Sequence, residues 1–215
     1  MSLLRPPALL AALVLGSLSL TGAAHAEPRR WNLLFGGVSE GPTLAGQMGY
    51  PGLPRAALHQ GLSDSLSIGG AFTFDLGYYT PEPGLRGGML LSAPLRLRVA
   101  HGSNLSAGMV FEPGLGFFFE PDFNFAVLAN VRGNLGWHIG SNMILGGGLD
   151  LPVAVAVDPF IFFFPILFGP VYEIHPIDNL AVTAELKFGP SIRVFNSFTD
   201  VSFGLKLAVG VAYRF

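Results

Sequence analysis

The chain has 215 residues, of which 50% are hydrophobic and only 12% are charged, against about 25% charged residues in an average soluble domain. This composition argues against a soluble protein, which would need more charge on its surface. The formal net charge of -2 and the lack of a basic run give no sign of a nucleic-acid partner, and the absence of cysteine excludes disulfides, thiolate metal sites and a lipoprotein anchor.

The first 26 residues have the features of a secretory signal peptide. Arg5 gives a positive start, an apolar run extends from Leu9 to Leu20, and Ala24-His25-Ala26 is a small-x-small cleavage site. The apolar run is too short to span a bilayer, which takes about 20 residues in a helix. We therefore expect residues 1–26 to be removed on export and residues 27–215 to form the mature domain.

Strict alternation of apolar and small or polar residues dominates the mature chain. From Val201 to Phe215 the odd positions are all apolar, whereas the even positions carry Ser, Gly, Ala, Lys and Arg. Successive side chains of a strand point to opposite faces, so such a strand has one apolar face. The longest later apolar run, Phe160 to Phe168, is broken by Pro165 and offers no membrane helix. A hydrophobic, helix-free chain of alternating strands predicts a transmembrane antiparallel up-and-down β-barrel.

The alternating runs predict ten strands, an even number that leaves both termini at the same end of the barrel. The first two have the weakest pattern, and eight strands with a partly ordered N-terminal region is the alternative. In chain order the predicted strands cover about 31–38, 55–62, 65–79, 87–100, 104–119, 122–138, 142–156, 166–175, 179–195 and 201–215.

A short histidine-containing sequence recurs between the strands. HIGSN at His138 has relatives in HGSN from His101, HPIDN from His175 and a looser HQGLSDS from His59. In the first three, Asn104, Asn142 and Asn179 follow one another at 38 and 37 positions. Their turn-forming residues predict tight hairpin turns, which we assign to the periplasmic side. The longer connections, about 39–54, 80–87, 120–122, 157–165 and 196–200, are then expected outside the cell.

The end of the chain carries the clearest resemblance to a known family. Gly210, Tyr213 and Phe215 match the C-terminal pattern of bacterial outer-membrane β-barrel proteins, which ends in an aromatic residue, although Ala208 replaces its polar position. The chain thus resembles small Gram-negative barrels with OmpA-like or OmpW-like, porin-like architecture. The resemblance implies an outer-membrane location and recognition of this end by the barrel-assembly machinery. It names no activity.

The inward phase of the predicted strands carries acids and bases that nearly alternate around the barrel. Because an unpaired buried charge costs several kcal/mol, a pairing network that fills the lumen is expected. A charged constriction that selects solutes, or catalytic carboxylates, are the alternatives. The residues are Asp75, Arg96, Arg98, Glu112, Arg132, Asp150, Glu173, Glu185, Lys187 and Lys206.

Histidines at the turns are expected to be structural. The phase of the strands points His138 and His175 inward but His101 outward, so they share no face and no metal or other cofactor is predicted. A pH-sensitive role is the alternative. An HExxH motif is absent, and the histidines lie away from the positions used by outer-membrane lipid A deacylases and omptin-type proteases. No enzyme is therefore predicted.

Phenylalanines cluster near the predicted outer ends of strands. We expect an aromatic rim at the bilayer interface, with an entry site for a small apolar solute as the alternative. The expected function is thus that of a structural or restricted-pore barrel. Uptake of an apolar solute is the second hypothesis, and an outer-membrane enzyme acting on lipid or protein is the third. The bilayer and the assembly machinery are the expected partners, and a monomer is expected. The rim residues are Phe117, Phe118, Phe119, Phe160, Phe162, Phe163 and Phe164.

Overall fold

A computed structural model describes residues 31–35, 41–50, 54–75, 87–102, 104–119, 123–156, 160–195 and 198–215. The expected signal peptide, residues 1–26, lies outside these ranges, so its prediction stays untested. Within them, no helix has the length and apolar character needed to cross a bilayer.

All regular structure in the described ranges is β-strand. The twelve segments are β1 (Thr43–Tyr50), β2 (Arg55–Ser63), β3 (Leu66–Asp75), β4 (Gly88–Ser92), β5 (Leu95–His101), β6 (Leu105–Phe118), β7 (Asn124–Ile139), β8 (Met143–Ala156), β9 (Ile161–Pro165), β10 (Leu167–Ile177), β11 (Leu180–Phe195) and β12 (Phe198–Arg214).

These twelve segments form ten barrel strands, because two strands are each interrupted once. β4 and β5 both pair with β3 on one side and β6 on the other. β9 and β10 likewise share β8 and β11 as neighbours. All pairings are antiparallel, and β12 pairs with both β11 and β1, which closes the sheet. The predicted ten-stranded up-and-down barrel is confirmed.

The outer surface of this barrel is a continuous apolar band. Large hydrophobic side chains are exposed from β1 round to β12, among them Met48, Phe111, Trp137 and Phe203. A water-soluble protein rarely exposes such a surface, whereas the lipid-facing wall of a membrane barrel requires it. The alternate positions carry small, polar and charged residues that face the lumen. The fold is therefore a transmembrane β-barrel.

The first predicted strand, 31–38, is wrong. The first strand of the barrel is β1, which lies inside the predicted connection 39–54. Trp31–Phe35 instead runs through the lumen as a non-strand segment, with Phe35 fully buried. A wall strand buries only alternate side chains, but Trp31, Leu34 and Phe35 are all buried, which requires protein on every side. We call Trp31–Phe35 the plug.

Tight turns gather at one end of the barrel, which we call the turn end. They include Asp64–Ser65 and the turn after β7, where Gly140 has φ 69°, a backbone conformation that favours glycine. β10 and β11 are joined by Asp178–Asn179. The opposite end, the loop end, carries the longer connections, most of which lie outside the described residues. Which end faces the periplasm stays a prediction.

Candidate functional site in the barrel lumen

Three layers of side chains occupy the lumen between the two ends. Nearest the loop end is a buried apolar cluster, which we call the apolar cap. A layer of charged residues follows at mid-height, and the plug lies nearest the turn end. The apolar cap consists of Leu90, Phe118, Ala126, Leu128, Ala154, Ala156, Ile161 and Phe163.

Glu112 on β6 is the shared hydrogen-bond acceptor of the first group in the charged layer. Its carboxylate accepts hydrogen bonds from Arg55 Nη1 at 2.5 Å, from Ser92 Oγ at 2.5 Å and from Arg132 Nη2 at 2.8 Å. The donors come from β2, β4 and β7, so one acid links both neighbouring strands and a more distant one. A buried carboxylate is tolerated only with such partners, and Glu112 is almost completely buried.

Two lysines and two acids form a second group, in which each lysine contacts both carboxylates. Lys187 Nζ lies 2.5 Å from Asp150 and 3.1 Å from Glu185. Lys206 Nζ lies 2.7 Å and 3.2 Å from the same two carboxylates. Every charge in this group therefore has two opposite charges beside it, which offsets the cost of taking it out of water.

The structure distributes the predicted lumen charges over three places. Glu112, Arg132, Asp150, Glu185, Lys187 and Lys206 meet in the charged layer. Arg96 and Glu173 lie instead at the plug. Arg98 is partly buried near the turn end, and the side chain of Asp75 lies outside the described part of the structure. Sequence reasoning missed Arg55, although the phase it shares with the buried Ala57 and His59 signals an inward side chain.

The plug is held to the barrel wall through its backbone. Glu173 accepts hydrogen bonds from the backbone N–H groups of Leu33, at 2.7 Å, and Leu34, at 2.8 Å. Arg96 donates to the carbonyl oxygens of Asn32, at 3.0 Å, and Leu33. Asn134 Nδ2 donates to the carbonyl oxygen of Leu34 at 2.8 Å. Wall side chains thus take the place of the neighbouring strand that the plug lacks.

Aromatic contacts fix both ends of the plug. Trp31 Nε1 donates to the carbonyl oxygen of Asp178 at 2.8 Å, and its ring meets His175 edge-on at 4.9 Å between centroids. At the other end, Phe35 packs over Gly136 of β7. A Cβ at Gly136 would lie 2.4 Å from Phe35 Cε1, so only glycine leaves room for the ring.

A cavity of about 50 Å³ remains between the plug and the charged layer. Leu33 and Leu34 bound it on the plug side, and the wall side includes Arg55, Arg96 and Arg132. This volume has room for only a few water molecules. The lumen in this region is a small chamber rather than a wide channel.

The prediction that His101 points outward is wrong. Its Nδ1 lies 3.1 Å from Ser106 Oγ, which is also 2.8 Å from His138 Nε2. The register of β5 and β6 shifts between Arg98 and Ala100, and this bulge turns His101 to the inward phase. In the described ranges, no group of three or more His, Cys, Asp or Glu side chains is arranged to hold a metal ion.

The predicted aromatic rim is divided between the two faces of the wall. Phe118 and Phe163 are buried in the apolar cap, whereas Phe119 and Phe160 are exposed. The remaining rim residues, Phe117, Phe162 and Phe164, are partly buried. Of the three residues predicted to form the assembly signal, Gly210 faces the lumen, and Tyr213 and Phe215 are exposed.

Comparisons with solved structures find distant likenesses among outer-membrane proteins. The outer membrane protease OmpT from Escherichia coli is 10% identical, with 81% of this chain and 94% of OmpT covered and a TM-score of 0.44. A bacterial polysaccharide outer membrane secretin is 11% identical, with 80% and 57% covered and a TM-score of 0.41. The KdgM porin in complex with disordered oligogalacturonate is 11% identical, with 81% and 98% covered and a TM-score of 0.36.

No protein-family model and no curated protein sequence matches the chain. The class of protein therefore rests on the chain's own strand pairing and surface, which define a ten-stranded transmembrane β-barrel of the outer-membrane type.

Proposed function

We propose that this protein is an integral outer-membrane β-barrel with a closed lumen and a structural role. The observation that carries the proposal is the plug, whose backbone is hydrogen-bonded to Glu173, Arg96 and Asn134 of the wall. A segment held this way narrows the lumen at the turn end, and the charged layer and the apolar cap lie between it and the loop end. The restricted pore is the weaker form of the same proposal.

The energetics of Glu173 support a plug that stays in place. Its side chain is fully buried, and the two plug N–H groups are two of its hydrogen-bond donors. Withdrawal of the plug would leave this carboxylate with fewer partners, and an incompletely paired buried charge is costly. Glu173 of the wall therefore stabilises the closed barrel, in addition to the contacts of the plug residues themselves.

The remaining parts of the proposal concern export and assembly. Residues 1–26 would direct export, and the end containing Gly210, Tyr213 and Phe215 would be recognised by the barrel-assembly machinery. The apolar band supports residence in the bilayer as a monomer, since lipid can cover the whole exposed surface. No catalytic role is proposed for the lumen acids, because each of Glu112, Asp150 and Glu185 is bound to basic side chains.

Conductance across a planar bilayer tests the closed lumen. The refolded full chain is expected to give no stepwise conductance above background, whereas replacement of residues 31–35 by a Gly-Ser sequence should produce steps. Steps of small, constant size from the unmodified protein would reject the closed barrel and leave the restricted pore.

Binding of an apolar solute at the loop end is the second candidate. The apolar cap places Phe163 inside the barrel beneath Arg193, whose Cζ lies 5.2 Å from the ring centroid. A solute with an apolar body and an acidic group would suit these two side chains.

Phe163 and Phe162 are adjacent and point to opposite faces of the barrel wall, so Phe162 is a matched control for a substitution of Phe163. Phe163→Ser should reduce uptake of an apolar solute into cells, while Phe162→Ser should leave it unchanged. Equal uptake in both variants and the unmodified protein would reject this second candidate.

A further inference from the structure

Basic side chains outnumber acidic ones around the cavity behind the plug. Arg55, Arg96 and Arg132 line it, and Glu185 is the acid in its lining. Glu185 already accepts hydrogen bonds from Gln47 Nε2 at 3.0 Å and Lys206 Nζ at 3.2 Å, and lies 3.1 Å from Lys187 Nζ. Its ion pairs within the described ranges are with these two lysines rather than with the three arginines. We call this space the arginine cavity.

The three guanidinium groups have more donors than the wall supplies acceptors for. Each carries five N–H groups, yet Arg55 and Arg132 share the single carboxylate of Glu112. Arg96 donates to two plug carbonyl groups and forms no ion pair with a carboxylate of the described chain. Arg132 Nε is buried and has no hydrogen-bond partner within the described ranges. The cavity therefore presents spare cationic donors.

His59 adds a second kind of donor to the same lining. Its side chain is 7% exposed, and Nδ1 is buried with no hydrogen-bond partner among the residues that the structure describes. Buried polar atoms without partners are uncommon in folded proteins. His59 lines the cavity, and a neutral imidazole carries one N–H group that it can donate.

We propose that the arginine cavity is a binding site for a single small oxyanion of phosphate size. Guanidinium groups match the geometry of tetrahedral and planar oxyanions through paired N–H donors. The volume of about 50 Å³ suits one such ion rather than a sugar chain or a lipid. This binding site goes beyond the structural role proposed above and requires no conduction through the lumen.

A bound oxyanion would also join the plug to the wall. Arg96 contacts the plug carbonyl groups and lines the cavity, which Leu33 and Leu34 bound from the other side. The negative charge of the ion offsets part of the mutual repulsion among the three neighbouring arginines. Binding should therefore raise the thermal stability of the closed barrel.

Titration of the refolded full chain with inorganic phosphate tests the site. Isothermal titration calorimetry in detergent micelles, at constant ionic strength set with sodium chloride, should show one binding event per chain. Arg55→Gln removes a cavity guanidinium and should raise the dissociation constant for phosphate by about tenfold or more. Arg193→Gln removes a lumen arginine outside the cavity and should bind phosphate like the unmodified protein.

A second variant guards against failure of Arg55→Gln to fold, which heat-modifiable gel migration would reveal. His59→Ala changes no formal charge at neutral pH and should also weaken phosphate binding. The absence of binding by the folded, unmodified protein would overturn the proposal. Equal affinity in His59→Ala, or weakening by Arg193→Gln as large as that by Arg55→Gln, would overturn it as well, because the ion would then bind elsewhere or through overall charge.

Discussion

Replacement of Glu173 by glutamine should loosen the plug without removing a buried side chain. The carboxylate accepts hydrogen bonds from Leu33 N and Leu34 N through its two different oxygens. The amide keeps one oxygen but places an NH₂ group against the other backbone N–H. One charge-assisted hydrogen bond is lost and the second is weakened, each of a kind worth about 1.5–3 kcal/mol. We therefore expect the docking of the plug to weaken by about 2–4 kcal/mol, which is roughly 30-fold to 1000-fold in the docking equilibrium.

Planar-bilayer recording of Glu173→Gln, together with the fluorescence of Trp31 in a Trp137→Phe background, measures this change. The variant should spend more time in conducting states, and its Trp31 emission should shift towards that of a water-exposed indole. Asp200→Asn is the matched control, since it makes the same carboxylate-to-amide change at an exposed position near the loop end. A Glu173→Gln barrel that folds and stays as closed as the control would refute the role assigned to these hydrogen bonds.

Two further substitutions test the plug and the charged layer independently of each other. Gly136→Ala places a methyl group 2.4 Å from Phe35 Cε1 and should displace the plug, seen as faster protease cleavage before residue 41 in the folded barrel. Gly133→Ala, whose Cβ would meet nothing within 4 Å, should not, and equal cleavage of both would count against the packing of Phe35 on Gly136. Lys187→Met leaves Asp150 and Glu185 with Lys206 as their shared lysine and should destabilise the barrel by about 3–5 kcal/mol. Urea unfolding in detergent would measure this, and a loss below about 1 kcal/mol would contradict the pairing argument.

The strand pattern was predictable because lipid and lumen impose opposite demands on alternate residues. The predicted strand 122–138 corresponds to Asn124–Ile139, and the predicted strand 201–215 corresponds to Phe198–Arg214. The first strand was not predictable in this way. In β1, Gly46 stands in the outward phase, which otherwise carries Leu44, Met48 and Tyr50, whereas the plug is more apolar and resembles a strand in composition.

The arrangement inside the lumen depends on contacts that local patterns do not encode. The hydrogen bonds of the plug join Leu33 and Leu34 to Glu173, about 140 residues away. The inward turn of His101 depends on a bulge near Val99, where the sequence gives no distinctive residue. The inward phase of the acids and bases could be read from the alternation, but their partners depend on the register around the whole barrel.

Cross-linking inside the lumen tests the position of the plug most directly. The chain has no cysteine, so a pair introduced as Leu34→Cys and Asn134→Cys would react with a short bifunctional thiol reagent without interference. These two residues are hydrogen-bonded to each other in the structure, whereas Leu135 is exposed on the outer wall. Efficient cross-linking of the 34–134 pair, and none of a Leu34→Cys, Leu135→Cys pair, is the expected result. Failure of the 34–134 pair to cross-link in the folded barrel would contradict a plug held in the lumen.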